Sequence, residues 1–157
     1  MEANLQEIMP GKGLGTLRFG ATREQVQNTI GNADEVEKYS LDEFDSDDTE
    51  AWHYDEKGIS LSFDQEHGWK LSSIAVSGEE YRLEGNQLIG KSIEEIEDLC
   101  EKQGWGELTE DEEIAEEEAG IAMLHLEEKG ISFWFEDDVL SEVQLSPLFV
   151  NDQIVWP

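Results

Sequence analysis

The sequence predicts an α+β fold made of a tandem repeat, in which each copy is one helix followed by an antiparallel three-stranded sheet. Three observations predict it: a five-residue run occurs twice, two helix starts share one capping pattern, and similar strand patterns follow both helices in the same order. We expect both helices on one face of the sheet, which leaves the other face open.

The clearest recurrence is the run Glu56–Ser60 (EKGIS), which returns as Glu128–Ser132, 72 residues later. His53 and His125 match at the same offset. Beyond the second strand of each copy the offset falls by three residues, at a place where a hairpin tip tolerates a deletion. A chance match of five residues would not extend in this way.

Each predicted helix begins with a capping box, in which a cap hydroxyl and the side chain three residues later satisfy each other's backbone amides. The pairs are Thr22 with Gln25 and Ser92 with Glu95. An apolar stripe follows each cap, and a glycine stands where each helix should end. These glycines are Gly31 and Gly104.

Alternation of apolar and polar residues predicts three strands in each copy. Trp52 points to the core and His53 away from it, and in the second copy Phe133 points to the core and Trp134 away from it. Glycine turns are expected between the first two strands of each copy. They fall at Lys57-Gly58 and Lys129-Gly130.

The whole chain is expected to form one compact domain. Residues 13–80 form the first repeat, residues 88–148 the second, and residues 149–157 a C-terminal tail. The acidic stretches Leu41–Glu50 and Thr109–Glu118 occupy matching places before the first strand of each copy. Their charge predicts solvated loops.

The helix run Gly20-x-Thr22-x-x-Gln25-Val26, followed by Ile30-Gly31, and its counterpart from Gly90 resemble a known helix signature. This helix signature is typical of the β-lactamase inhibitor protein-like and BamE (SmpA)-like superfamily. Those proteins carry a helix-plus-sheet unit, in tandem or singly, and toxin-immunity proteins of this size are also similar. The resemblance implies the fold and a tendency to bind proteins. The sequence departs from the family in having no secretion signal, no paired cysteines and no lipoprotein cysteine near its start, which argues against a secreted inhibitor or a lipoprotein as such. The inhibitor's contact residues do not match positions of this sequence, so none is carried over.

Charge narrows the possible partners. The chain has 39 acidic residues against 10 Lys and Arg, a formal net charge of −29. Nucleic acids and anionic membranes would be repelled, whereas a protein with a basic surface would be attracted. Solubility and a saline habitat are alternative reasons for the acidity. Residues Met1–Pro10 lack the features of a signal peptide, which favours a cytoplasmic location.

No catalytic centre, cofactor site or metal site is predicted, and we do not expect an enzyme. The lone Cys100 is expected to be a buried structural thiol, and His53, His67 and His125 bring no further metal ligand with them. The acids from Asp42 to Asp48 lack the spacing of an EF-hand, and Gly11–Gly15 lacks the Walker pattern of a phosphate loop.

Aromatic side chains that alternation places outward give the functional hypothesis. Trp134, Met123 and His125 would form one patch, with Trp69 at its rim, unless the tail or the other copy covers it. The remaining candidate contact residues are His53 and Trp105. The leading hypothesis is a protein-binding module of inhibitor or immunity type that occludes a basic partner surface. The alternatives are a stand-alone structural or housekeeping bacterial protein, monomeric or homodimeric, and an acid-rich protein that binds divalent cations.

Overall fold

The structure is a computed structural model. It describes residues 7–9, 11–15, 17–40, 48–55, 58–65, 68–78, 81–110, 120–126, 129–150 and 153–155. The fold is α+β and consists mostly of strands. Two helices are described, α1 (Arg23–Ile30) and α2 (Ile93–Gln103).

Both predicted capping boxes are confirmed. The hydroxyl of Thr22 accepts from the amide of Gln25, and that of Ser92 accepts from the amide of Glu95. In each box the side chain of the third helical residue accepts in return from the cap amide. Both helices therefore begin where the sequence predicts, and Gly31 and Gly104 follow their last residues.

The described strands form a sheet of eight strands (the large sheet), a sheet of five (the small sheet) and a two-stranded hairpin. In chain order the strands are β1 (Glu7–Met9), β2 (Gly13–Leu14), β3 (Leu17–Arg18), β4 (Glu35–Ser40), β5 (Asp48–Tyr54), β6 (Ile59–Asp64), β7 (Lys70–Val76), β8 (Arg82–Leu83), β9 (Asn86–Gln87), β10 (Thr109–Glu110), β11 (Ile121–Leu126), β12 (Ile131–Glu136), β13 (Val139–Leu145), β14 (Leu148–Val150) and β15 (Gln153–Val155).

The large sheet is antiparallel and continuous, with strand order β10-β11-β12-β13-β7-β6-β5-β4. Its centre is the pairing of β13 with β7, which joins the two halves of the chain. The six predicted strands are present, but each half contributes a fourth strand, β4 or β10, at its outer edge. One residue is inserted into β7 and one into β13, so that the register shifts at Ser72 and at Ser141.

The small sheet was not predicted. Its order is β3-β2-β1-β8-β9, and β1 pairs in parallel with β8. It contains the segment before α1 and the connection between the two halves.

A single core joins both sheets and both helices. The strands of the large sheet contribute every second residue to it, as Leu61 and Phe133 show, whereas Val26 and Ile96 contribute from the helices. Because the core-facing positions of neighbouring strands lie in register, they share one face of the large sheet. The opposite face, called the outer face below, carries the intervening residues.

Matching backbone hydrogen bonds attach the start of each helix to the large sheet. Gly20 donates to the carbonyl of Leu71 (2.9 Å), and Gly90 donates to that of Leu140 (2.9 Å). The amides of Leu71 and Leu140 donate back to the residues after those glycines, both over 2.8 Å. These bonds hold the residues just before each helix against the large sheet, and so they fix where α1 and α2 begin.

The predicted glycine turns are confirmed where the structure describes them. Gly58 and Gly130 have φ of +64° and +66°, the left-handed conformation that glycine adopts with least strain. The carbonyl of Gly58 accepts from the amide of Ser77, which follows β7, and that of Gly130 accepts from the amide of Ser146, which follows β13, over 2.9 Å in both cases.

The predicted acidic loops need correction at their bounds. Asp48–Glu50 belongs to β5 and Thr109–Glu110 to β10, because these residues pair with neighbouring strands. The rest of both predicted loops, 41–47 and 111–118, lies outside the described residues. A hairpin of β14 and β15 begins at Leu148, the last residue of the predicted second repeat, and continues into the predicted tail. Gly11 forms a bridge with Pro147 just before it.

Candidate functional site: the outer face of the large sheet

One row of residues crosses the outer face along all eight strands. Its members follow from the strand registers: each is directly opposite the next in the adjacent strand. In order from β10 to β4 the row is Thr109, His125, Ser132, Gln144, Ala75, Ser60, His53 and Glu35. His53 and His125, which match at one sequence offset, therefore lie on the same face of the large sheet.

The two histidines make the same contact. Nδ1 of His53 lies 2.8 Å from Oγ of Ser60, and Nδ1 of His125 lies 2.8 Å from Oγ of Ser132. Nε2 of His53 is 3.5 Å from a carboxylate oxygen of Glu37 on β4. Both rings are half-buried, and five strand steps of about 4.8 Å, roughly 24 Å in all, separate them. They cannot bind one ion together.

An apolar patch occupies the outer face of the second half. It consists of Ile121, Met123, Trp134 and Val139. Met123 lies opposite Trp134, the first three side chains are half-buried, and Val139 is 45% exposed. Alternation correctly placed Trp134 and Met123 on this face, since their neighbours along the strands are core residues.

Each row of the apolar patch also contains a carboxylate. Glu142 lies directly opposite Trp134, and Glu136 lies opposite both Ile121 and Val139. Gln144 donates to Oε2 of Glu142 over 3.0 Å, which orients that carboxylate. Apolar surface interleaved with negative charge is complementary to a partner surface that alternates apolar and basic side chains.

The corresponding positions of the first half are small. At the offsets of the predicted repeat, Ala51 corresponds to Met123, Ser62 to Trp134, Ser73 to Glu142 and Ala75 to Gln144. The first half therefore presents small side chains at these four positions, where the second half presents large ones. The difference falls on this face and not in the core, where both halves carry large apolar residues.

Trp69, a predicted rim residue, is engaged within the molecule. The guanidinium of Arg23, the first residue of α1, lies 4.6 Å from the centre of its ring. Nη1 of Arg23 donates to Oε2 of Glu50 over 3.0 Å, and Nε1 of Trp52 donates to Oε1 over 2.6 Å. Glu50 is only 7% exposed, so the sequence analysis was wrong to place this residue in a solvated loop. The cluster ties the start of α1 to β5.

Trp105, another predicted contact residue, is 2% exposed and belongs to the core. Its indole nitrogen donates to Glu84. Cys100 is buried as predicted, and burial, aided by the charge of Glu97, raises the pKa of its thiol. A thiol in that state is protonated at neutral pH and unreactive.

A pocket of about 450 Å³ lies next to His125, between the turn at Gly130 and the start of β14. Ser132 and Ser146 also line it.

In the described part of the chain, no three His, Cys, Asp or Glu side chains are grouped closely enough to hold a metal ion. His67 and the acids 42–47 lie outside that part. Neither described helix is long and apolar enough to cross a lipid bilayer.

Sequence reasoning missed Glu142 and Gln144 as members of the site. Alternation placed both on the outer face, but charge alone did not distinguish Glu142 from the other acidic residues. The distinguishing signal is the comparison of the two halves at matched face positions, where small residues are replaced by large ones.

Comparisons with protein-family models, with curated proteins and with solved structures found no match to this chain.

Proposed function

We propose that this chain is a non-enzymatic protein-binding module, of inhibitor or immunity type, that covers a basic partner surface with the outer face of its large sheet. The observation that carries the proposal is the apolar patch of Ile121, Met123, Trp134 and Val139, with carboxylates in register beside it. Tryptophan is among the residues that most often supply the binding energy at protein interfaces, and the surrounding apolar side chains exclude water from it.

Charge supports a basic partner. Five acidic residues of the described strands lie on the outer face: Glu35, Glu37, Asp64, Glu136 and Glu142. Among the described residues of the eight strands, Lys70 is the one lysine or arginine on this face. The formal net charge of −29 adds a long-range attraction that speeds the encounter with a cationic surface.

We also propose that the two halves are tandem copies of one helix-plus-strands unit. The matched capping boxes, helix attachments, glycine turns, His–Ser pairs and register shifts support this proposal. The same helix signature supports a relationship with the β-lactamase inhibitor protein-like and BamE-like superfamily. Duplication would explain how one half kept small face residues while the other acquired the apolar patch.

The test is comparative capture from a lysate of the source cells. Immobilised wild-type protein and Trp134→Ala are compared at low and high salt, and retained proteins are identified. Each specific partner is then purified, and amide exchange maps its footprint. We expect a basic protein that wild type retains better than Trp134→Ala and that protects β11–β13. Protection confined to the helices and the small sheet would contradict the proposal.

A homodimer through the same face is the second candidate, because the apolar patch would also suit a second copy of this chain. Two chains of charge −29 repel each other, which favours the basic partner. Light scattering coupled to size exclusion separates the two. A stable dimer that Trp134→Ala dissociates would favour the homodimer, whereas a monomer would leave the apolar patch to another protein.

A further inference from the structure

Trp134 and Glu142 form a pair that is suited to one particular side chain. They lie directly opposite each other on β12 and β13, with both side chains on the outer face. Side chains at such positions have their Cβ atoms about 5 Å apart, so an indole ring and a carboxylate can contact the same group. The hydrogen bond from Gln144 holds the carboxylate through one of its oxygens, Oε2.

Elsewhere in the molecule, a tryptophan and a carboxylate already bind one arginine side chain together. Arg23 lies 4.6 Å from the centre of the Trp69 ring and donates to Glu50 over 3.0 Å. A tryptophan, a carboxylate and a guanidinium therefore assemble within this fold, with the guanidinium bound by both partners. At Trp134 and Glu142 two of the three components are present on the outer face.

We infer that Trp134 and Glu142 form a subsite for a single arginine side chain of the partner, with the guanidinium over the indole and a hydrogen bond to the carboxylate. The inference rests on the proposed function and deepens it, because it names the side chain that the apolar patch recognises. Met123 and Val139 would contact the aliphatic stem and its apolar neighbours.

Chemistry selects arginine over lysine. A guanidinium is planar, stacks on an aromatic ring and still directs several N–H groups outward in its plane toward a carboxylate. An ammonium is compact and strongly hydrated, so it gains less from the indole face. The small residues Ser62 and Ser73 at the matching positions of the first half offer neither ring nor charge. The subsite is therefore specific to the second half.

The experiment uses the full chain and two blocked tripeptides, Gly-Arg-Gly and Gly-Lys-Gly, as probes. Each carries one charge, which removes multivalent attraction to the acidic surface. Binding is followed in ¹⁵N spectra through the indole N–H signal of Trp134 and the side-chain amide signal of Gln144, and through the latter alone in variants of Trp134. The chain's other four tryptophans are internal references. Those signals also report whether each variant is folded.

We expect the arginine peptide to shift the Trp134 indole signal and the side-chain amide of Gln144 in preference to the other signals. Glu142→Gln and Trp134→Ala should each raise the dissociation constant about tenfold. Trp134→Phe should have a smaller effect because it retains a ring. The matched control Glu97→Gln removes an equal charge from the exposed face of α2 and should leave binding unchanged.

Equal weakening by Glu142→Gln and Glu97→Gln would overturn the inference, since bulk charge alone would then account for binding. Preference for the lysine peptide would also overturn it. Binding of the captured partner to three variants separates the arginine subsite from the proposed function. If Ile121→Ser and Val139→Ser abolish its binding but Glu142→Gln does not, the binding face stands and the arginine subsite falls. If none of the three matters, the proposed function itself falls.

Discussion

At the scale of single residues, the buried carboxylate of Glu50 has the most unusual environment. Its two oxygens accept from Arg23 and from Trp52, and the guanidinium remains partly open to solvent, with 40% of the Arg23 side chain exposed. The two partners are therefore not equivalent. Loss of the cation leaves a buried negative charge, whereas loss of the carboxylate leaves a cation that solvent can reach.

We predict that Arg23→Gln lowers the free energy of unfolding by about 2 kcal/mol and Glu50→Gln by about 1 kcal/mol. Urea unfolding measures both values. Arg82→Gln, at an exposed position of β8, is the control for loss of a positive charge and should cost little. Equal costs for Arg23→Gln and Glu50→Gln would show that the carboxylate is hydrated despite its burial.

Tyr54 gives a pH-dependent prediction. Its hydroxyl donates to the carbonyl of Gly31 over 2.9 Å, and burial, followed by the negative charge of Asp34, raises its pKa from 10.0 to about 12. The folded chain thus holds this proton more tightly than the unfolded chain. The resulting stability is fully present below pH 10 and is lost as the pH rises from 10 to about 12.

Tyr54→Phe should remove this dependence. The stability difference between wild type and Tyr54→Phe should therefore shrink across that range, by about 1 kcal/mol per pH unit at its steepest. Urea unfolding at several alkaline pH values measures the difference, and comparison with the variant cancels the titration of all other groups. A difference that is constant from pH 9 to pH 12 would contradict the raised pKa.

At the scale of elements, the sequence predicted what short-range chemistry specifies. Capping hydroxyls, glycine turns and alternation located both helices and the six inner strands of the large sheet. It did not predict β4, because Glu35, Glu37 and Lys38 give that edge strand the composition of a loop. The two-residue strands of the small sheet are too short to show a period, and the pairing of β1 with β8 connects distant parts of the chain.

The two matched glycine turns should differ in their tolerance of a side chain. A Cβ at Gly130 would lie 2.6 Å from the carbonyl oxygen of Ser146, whereas one at Gly58 would lie 3.0 Å from its nearest atom, the amide nitrogen of Gly78. Both substitutions place alanine at a positive φ, which costs about 1 kcal/mol.

We therefore predict that Gly130→Ala destabilises the chain by about 2 kcal/mol or more and Gly58→Ala by about 1 kcal/mol. The excess at Gly130 arises because the end of β13 must move away from the new methyl group. Thermal and urea unfolding of the two variants provide the comparison. A larger cost at Gly58 would contradict the prediction, because the closer contact of the added Cβ lies at Gly130.

At the scale of the whole molecule, alternation identified which residues face outward but not which of them would act together. Trp134 is predicted from one strand alone. Its partner Glu142 lies on another strand and becomes adjacent only through the register of β12 with β13. The prediction that Trp105 contacts a partner was wrong, since its side chain lies in the core. Trp105 follows α2 at a place where the sequence has no helical or strand period, so the direction of its side chain could not be predicted.

The net charge of −29 should act in opposite directions on folding and on binding. Salt screens repulsion among the carboxylates, so the free energy of unfolding should rise between about 0.01 M and about 1 M NaCl, as the Debye length falls from about 30 Å to about 3 Å. The same screening should slow association with the proposed basic partner, whereas dissociation, which would depend on the short-range contacts of the apolar patch, should change much less. Stopped-flow kinetics and urea unfolding over one salt series measure both effects.

Choline chloride should reproduce the stabilisation by NaCl. A much larger stabilisation by CaCl₂ at equal ionic strength would instead indicate specific divalent-cation binding, and so would favour the alternative in which the acidic residues bind ions.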